Sequence, residues 1–505
     1  MKKERRLKLP KDRFFEKMEE AGLALTFDDV RLKTGYSKVM PADVNLESKF
    51  SRNIPLKIPI TSAAMDTVTE YKMAIELAKL GGIGVIHKNL TPQEQLEQVL
   101  KVKFNLNGLI KTPICFNDNE TIESILKKKN EKGYNFSSLP ILDSNNKFVG
   151  MLTQTDFDFC DDKSKTASEV MTPRAELITG DKNTGIGEAY KTMNKRRKKA
   201  LPLINKDGTI AGLYIFSDVK RVMLGNSEIY NVDKNGQLRV AAAIGVYDDA
   251  IARIEKLKNE VDVFVIDTAH GDSKPVIETL KKIKKKYDIE VVAGNISEED
   301  SAERLIRAGA DGIKVGQGPG SICTTRIIAG IGTPQVTAIY KCSKVCDKYN
   351  IPACADGGLR FSGDVTIAIG AGAHSVMMGS MLAGTKESPG KIIFHKGQQY
   401  KAYRGMGSLS ALEEHESSRQ RYSQSGKDRL VPEGMEGIAP YKGKLEDVIY
   451  QYIGGLRKGM GYVGATTIQE LRKKADFIRI TDAGRAESHP HNIEITEESP
   501  NYSIK

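Results

Sequence analysis

The sequence predicts an α/β chain: a (β/α)8 barrel interrupted by a smaller inserted domain. Three observations predict it. Short apolar runs alternate with amphipathic stretches toward both ends of the chain. An internal repeat of about sixty residues breaks that alternation between residues 111 and 227. Glycine-rich loops then follow the strand candidates of the second half, where such a barrel carries its chemistry. The length of 505 residues fits one large domain plus an insert, against roughly 100–200 residues for a typical domain.

In chain order, residues 58–62 read as a strand end and residues 73–80 as a helix with helical apolar spacing. Gly81-Gly82 stops that helix, where a left-handed residue is wanted. Residues 83–87 form the next short buried strand. Strand then helix, repeated, argues for parallel strands with helical crossovers. The repeat follows: Ser138–Leu142 with Phe148–Thr153 resembles Ala200–Ile204 with Ile210–Ile215. Each copy ends near an aspartate, Asp156 or Asp218, and one copy alone could hardly bury its apolar face. From Gln237 the alternation resumes, with strands at 261–266, 290–293, 312–315, 351–355 and 375–378 and helices at 300–308 and 364–370. The expected division is 1–110 for the first part of the barrel, 111–227 for the insert and 228–505 for the remainder.

Composition narrows the function classes. Hydrophobic residues make up 40% and charged residues 28% of the chain, which suits a globular protein with a sizeable core. No apolar stretch reaches the roughly 18–20 residues needed to span a bilayer, and the basic N-terminus lacks the apolar core of a secretory signal. A cytoplasmic location is expected. The net charge is +11, much of it lysine in runs such as 281–286, which read as solvated helix faces. No aromatics interleave with them, so nucleic acid is not expected as a partner. Six cysteines are too few for a disulfide framework, and five of them read as inert thiols.

The sixth, Cys323, lies in Gly316-Gln317-Gly318-Pro319-Gly320-Ser321-Ile322-Cys323-Thr324-Thr325-Arg326 after a strand. Its glycines allow close backbone approach and left-handed conformations. Arg326 and a helix start nearby would favour the nucleophilic thiolate. Asp356-Gly357-Gly358 follows the next strand and Gly379-Ser380 the one after. Backbone N–H groups of such turns suit phosphate, while an aspartate between them suits ribose hydroxyls. Together they point to a nucleoside monophosphate. Asp267 ends another strand and could serve a second ribose or cap a helix. No Gly-x-Gly-x-x-Gly opens a helix in the usual dinucleotide context, so a dinucleotide would bind at the barrel mouth. Residues 395–440, a long polar segment, read as a lid or a disordered segment.

At this point the sequence resembles the inosine-5′-monophosphate dehydrogenase family over nearly its whole length. The matching pieces are 25–30 (LTFDDV), 65–70 (MDTVTE), 318–326 (GPGSICTTR), 355–358 (ADGG), 403–409 (YRGMGSL) and 487–489 (ESH). The resemblance implies a TIM barrel that oxidises IMP to XMP with NAD through a covalent thioimidate on Cys323. Residues 395–440 would be a mobile flap, and Arg421 on it would activate the hydrolytic water, with Tyr422 and Thr325 positioning it. Arginine is normally always protonated, so that role needs surroundings that strongly disfavour its charge. IMP contacts carried over are Ser321, Asp356, Gly357, Gly358, Gly379, Ser380, Tyr403, Arg404, Gly405, Met406, Gly407 and Glu433. NAD contacts are Asp267, Gly316, Gln317 and Gly318. Potassium (K+) would be held by carbonyls of Gly318, Gly320 and Cys323 and by Glu487, Ser488 and His489 of a neighbouring subunit, implying a homotetramer.

The insert resembles a pair of cystathionine-β-synthase-type (CBS) modules, which implies a possible purine nucleotide there. Thr153 and Asp156 match that module's ribose signature, and Ile215 replaces the threonine in the second copy. Gln317 and Ser423 also depart from the family pattern. Two rival readings share part of it: GMP reductase, which lacks the Arg-Tyr flap, and a CBS-based nucleotide sensor without catalysis.

Overall fold

The structure is a computed structural model that describes residues 8–106, 109–110, 112–131, 138–224 and 228–502. The basic residues 1–7, and residues 111 and 225–227 at the expected joints, lie outside the described residues. Two units are present: Met1–Lys103 with Ile229–Lys505, and Phe104–Glu228.

The first unit is a closed barrel of eight parallel strands. They are β1 (Ile60–Ser62), β2 (Ile83–Ile86), β3 (Val240–Ile244), β4 (Val263–Asp267), β5 (Val291–Ile296), β6 (Gly312–Val315), β7 (Ala353–Asp356) and β8 (Ser375–Met378). Helices cover the outside, so the strands are buried on both faces and read as near-continuous apolar runs. The register carries β8 onto β1, with Val376 beside Ile60 and Met378 beside Ser62. A hairpin, Ser48–Ser51 with Ile54–Leu56, sits at the amino end: Arg52 N–H donates to the Asp311 carbonyl just before β6, and Phe50 joins the core with Val85, Ala241, Val265 and Met377.

Strand β3 is the barrel strand the sequence pattern did not single out. Its three central alanines carry little strand preference, but Ala241 and Ala243 fill the barrel core, where small side chains fit. The lysine run 281–286 falls on the helix Lys274–Lys286, whose buried face is Val276, Thr279, Leu280 and Ile283. Lys284 donates to Asp311 at 2.8 Å and Lys286 to Glu255 at 2.7 Å, as a solvated face should. All six cysteines are free.

The inserted unit holds two four-stranded sheets. One is built on the antiparallel pair Ser138–Leu142 and Phe148–Thr153, the other on Ala200–Ile204 and Ile210–Ile215. Phe148, Met151, Ile204 and Leu213 form one apolar cluster drawn from both copies, so each copy covers the other's apolar face. Ile215 packs against that cluster. Thr153 donates through both its N–H and its hydroxyl to Asp156, at 2.6 and 2.7 Å, capping the helix Gln154–Asp158. The expected boundary at 110/111 shifts: Leu109 and Ile110 pair with Tyr214 and Leu213 of the second sheet. They belong to the insert because the strand Ile210–Ile215, not the barrel, satisfies their backbone.

The flap is not structureless. Its flanks form a three-stranded antiparallel sheet, Ile392–His395, Gln398–Arg404 and Glu436–Pro440. Two short helices, Leu409–Glu414 and Glu416–Arg421, lie between.

Candidate active site

The loop after β6 leaves the carboxyl end of the barrel through Gly316, at φ +147°. A Cβ there would lie 2.1 Å from the Asp356 carbonyl oxygen, so only glycine lets this loop pass β7. Cys323 N–H donates to the Gly320 carbonyl at 3.0 Å. The half-buried Cys323 Sγ stands 3.2 Å from Thr325 Oγ1 and 3.6 Å from the Glu433 carbonyl. Thr324 N–H donates to that same carbonyl at 3.0 Å, and Met435 N–H to the Ile322 carbonyl at 2.9 Å. The reactive loop is thereby zipped to the returning limb of the flap. Arg326 is committed elsewhere, with Nε and Nη2 donating to the carbonyls of Gln317 and Thr333 at 3.0 and 2.6 Å. It shapes the loop; no hydrogen bond takes it to the sulfur.

A cavity of about 130 Å³ opens beside Cys323. Ser321, Asp356, Gly357, Gly358, Gly379, Ser380, Tyr403, Gly405, Met406 and Glu433 line it, together with Gly316, Gln317, Gly318, Gly320, Thr325, Arg421 and Tyr422. Ligand pockets usually measure ~300–1,000 Å³; this one is smaller, and Arg421 and Tyr422 of the flap stand at its wall. Burial pushes the Tyr403 phenol up to about 12, and burial likewise raises that of Tyr422. Both therefore remain hydrogen-bond donors at neutral pH.

Beneath the cavity lies a polar layer that pattern reading missed. Lys314, from β6, is almost wholly buried. Its Nζ donates to Asp267 Oδ1 at 2.9 Å, to Asp356 Oδ2 at 2.6 Å and to Asn295 Oδ1. Asn295 in turn donates to the Gly316 carbonyl at 2.7 Å and to Asp356 Oδ2 at 2.9 Å. Arg421 pairs with the other oxygen of Asp267, and its carbonyl accepts from Ala269 N–H at 3.2 Å. A base role calls for surroundings hostile to the arginine's charge; the structure places the carboxylate of Asp267 beside its guanidinium. The signal for this layer was legible: one lysine inside the apolar run Gly312–Val315.

Residues 24–491 match the IMP dehydrogenase / GMP reductase domain family. The chain belongs to that family. IMP dehydrogenases from Staphylococcus aureus, Aquifex aeolicus and Halalkalibacterium halodurans are 49%, 48% and 47% identical, each over 95% of this chain and 98% of the relative. A solved structure of a cysteine-to-alanine variant of GMP reductase from Trypanosoma brucei, in complex with guanosine 5′-monophosphate, superposes with a TM-score of 0.86 at 38% identity. It covers 94% of this chain and 100% of its own.

Within the IMP dehydrogenase / GMP reductase frame, four groups of expected residues stand apart from the cavity. Arg404 turns from it to Asp66, at 2.8 Å, and Glu414, at 2.7 Å. Burial would raise the Asp66 carboxyl, but Arg404 holds it below its usual value. Gly407 lies under Tyr422, whose ring would be 2.6 Å from a Cβ there. Asp267 lies below the cavity, in the polar layer. Glu487 ends the helix Asp482–Glu487, Ser488 caps it and His489 follows, its ring 5.8 Å from Phe361. Gln317, the departure from the family pattern, accepts from Ser297 at 2.8 Å and contacts His270 Nδ1 at 3.0 Å.

Proposed function

We propose that the chain oxidises IMP to XMP with NAD, in guanine nucleotide synthesis. The observation that carries this reading is Cys323 facing a cavity walled by Asp356, the Gly357-Gly358 turn and Gly379-Ser380. IMP would lie with its phosphate on those turns and its ribose on Asp356, setting purine C2 before Sγ. The thiolate adds to C2, and the hydrogen at C2 departs with its electron pair. NAD, when bound against Asp267 and the Gly316-Gln317-Gly318 turn, supplies the acceptor for that hydride. The resulting thioimidate is attacked by water at C2; XMP leaves and the thiol is restored. Splitting the reaction at a covalent intermediate converts one hard step into two.

The flap divides the work in time. Arg421 occupies Asp267 in this conformation, so a dinucleotide and the closed flap compete for one carboxylate. With the flap down, Arg421, Tyr422 and Thr325 surround the water's position. A base role for Arg421 requires it to leave Asp267.

Oxygen donors suit potassium, and the loop 318–323 offers main-chain carbonyls. Glu487, Ser488 and His489 of a second copy would complete the set in a homotetramer; within one chain the His489 ring lies 5.8 Å from Phe361. No helix among the described residues is long and apolar enough to cross a membrane, and the purine substrates suit a cytoplasmic enzyme. We read the insert as a CBS pair and a candidate purine nucleotide site. The Thr153–Asp156 hydrogen bonds would have to share Asp156 with a ribose.

Incubation with IMP and NAD should raise NADH absorbance. Mass spectrometry of protein quenched in turnover should find a purine adduct on Cys323, absent from Cys323→Ala. No adduct on that residue overturns the chemistry. The second reading is GMP reductase, favoured by the solved structures the fold matches; turnover of GMP with NADPH, and none of IMP with NAD, would establish it instead.

A further inference from the structure

We propose that Lys88 and Asn89, on the loop after β2, form a catch that holds the flap helix closed and so partitions the reaction between its redox and hydrolytic halves. The kinetic part of this inference rests on the function proposed above; the catch itself rests on geometry alone.

The helix Glu416–Arg421 carries the residue assigned to hydrolysis and is six residues long. A helix that short has no stability of its own, because nucleation costs more than so few hydrogen bonds return. Its position must come from what it docks on. Arg421 grips Asp267 at one end. At the other end Lys88 Nζ donates to the Ser417 carbonyl at 2.6 Å. Asn89 Oδ1 accepts from the hydroxyls of Ser417 and of Ser418, the latter at 3.2 Å. Asn89 Nδ2 donates to Asp66 at 2.8 Å, and Asp66 holds Arg404 at the root of the flap. One asparagine thus ties the flap's helix to its stem.

The catch is rigid on the barrel side. Arg253, on the helix Tyr247–Leu257, donates to the Lys88 carbonyl at 3.0 Å and the Leu90 carbonyl at 2.9 Å, and is itself fixed by Asp249 and Gln95 at 2.9 Å each. It is weak on the flap side. Lys88 is 2% exposed, and the Ser417 carbonyl is its Nζ's hydrogen-bond partner among the described residues. One hydrogen bond of this kind is worth only about 0.5–1.5 kcal/mol. Such a contact closes the flap without locking it, as a flap that yields to a dinucleotide every cycle requires. Neither Lys88 nor Asn89 lines the cavity, so both are positioning residues.

The test compares the full chain with Lys88→Met, a substitution that keeps the stem's length and apolar packing. Hydrogen exchange without substrates, read at residues 416–424, should quicken by up to about tenfold, the equivalent of one lost hydrogen bond. With IMP and NAD, the NADH burst should persist while steady-state turnover falls by a similar factor, and KM for NAD should fall, because an open flap competes less. A merely structural defect would raise KM. Unchanged exchange overturns the catch; burst and turnover lost together, with KM raised, overturn its kinetic role. Should Lys88→Met fail to fold, Ser418→Ala probes the contact from the flap side with the same readouts. Faster exchange in a protein that makes no NADH would remove the proposed reaction and leave the catch standing.

Discussion

At the scale of single residues, charge is concentrated where the barrel is driest. Lys314 joins two carboxylates on different strands, Asp267 on β4 and Asp356 on β7. Lys314→Met would leave Asp356 without a cation and Asp267 with only Arg421 of the flap. Removing one partner of a buried pair costs about 3–5 kcal/mol, so the urea midpoint should drop sharply and Lys314→Arg should recover part of it. Lys88 is the opposite case. Burial, opposed by Asp249 and reinforced by Arg421 and Arg253, takes its pKa from 10.5 down to about 7 in the closed flap. A lysine with a lowered value favours the closed state through its neutral form. That stabilisation is complete above the value in water, shrinks as pH falls toward about 7, and is gone below it. Flap exchange, corrected for its intrinsic pH dependence, should slow as pH rises above about 7, and Lys88→Met should lose that slope.

At the scale of elements, the loops after β6, β7 and β8 build most of the cavity wall, and the flap, the loops after β1 and β4, and Asn295 complete it. The strand ends were legible because parallel barrel strands must be apolar throughout, which sets off the glycine, aspartate and cysteine that follow them. The flap was legible only as a polar stretch. Its helices are too short for a periodic signal, and its sheet forms because Tyr400–Arg404 and Glu436–Pro440 find each other across more than thirty residues. The flap's part in the reaction has a separable signature. Arg421→Ala is expected to keep the NADH burst and slow the following turnover by about a hundredfold, the lower end for an acid–base group; single-turnover absorbance resolves the two. Equal loss in both would remove Arg421 from the hydrolytic step.

At the scale of the whole molecule, the insert and the barrel are separate units, and every residue assigned to catalysis lies in the barrel. Replacing residues 104–228 by a short linker should leave NADH formation within about twofold, since no residue that lines the cavity belongs to the insert. The boundary matters. A deletion starting at 112 would strand Leu109 and Ile110 without the sheet they pair with. Loss of activity in a folded, correctly cut deletion would place a catalytic duty in the insert.

The chain by itself determined the barrel, the repeat and the reactive loop, because these follow from local patterns: apolar runs, glycine spacing, a thiol among glycines. It did not determine β3, whose alanines become a strand through the core they fill. Nor did it determine that Arg404 faces Asp66, that Lys314 unites two carboxylates, or that Lys88 meets the flap. Those contacts join residues tens to hundreds of positions apart. Only closing the barrel brings such charges out of water and into reach of one another, and burial is what makes each of them matter.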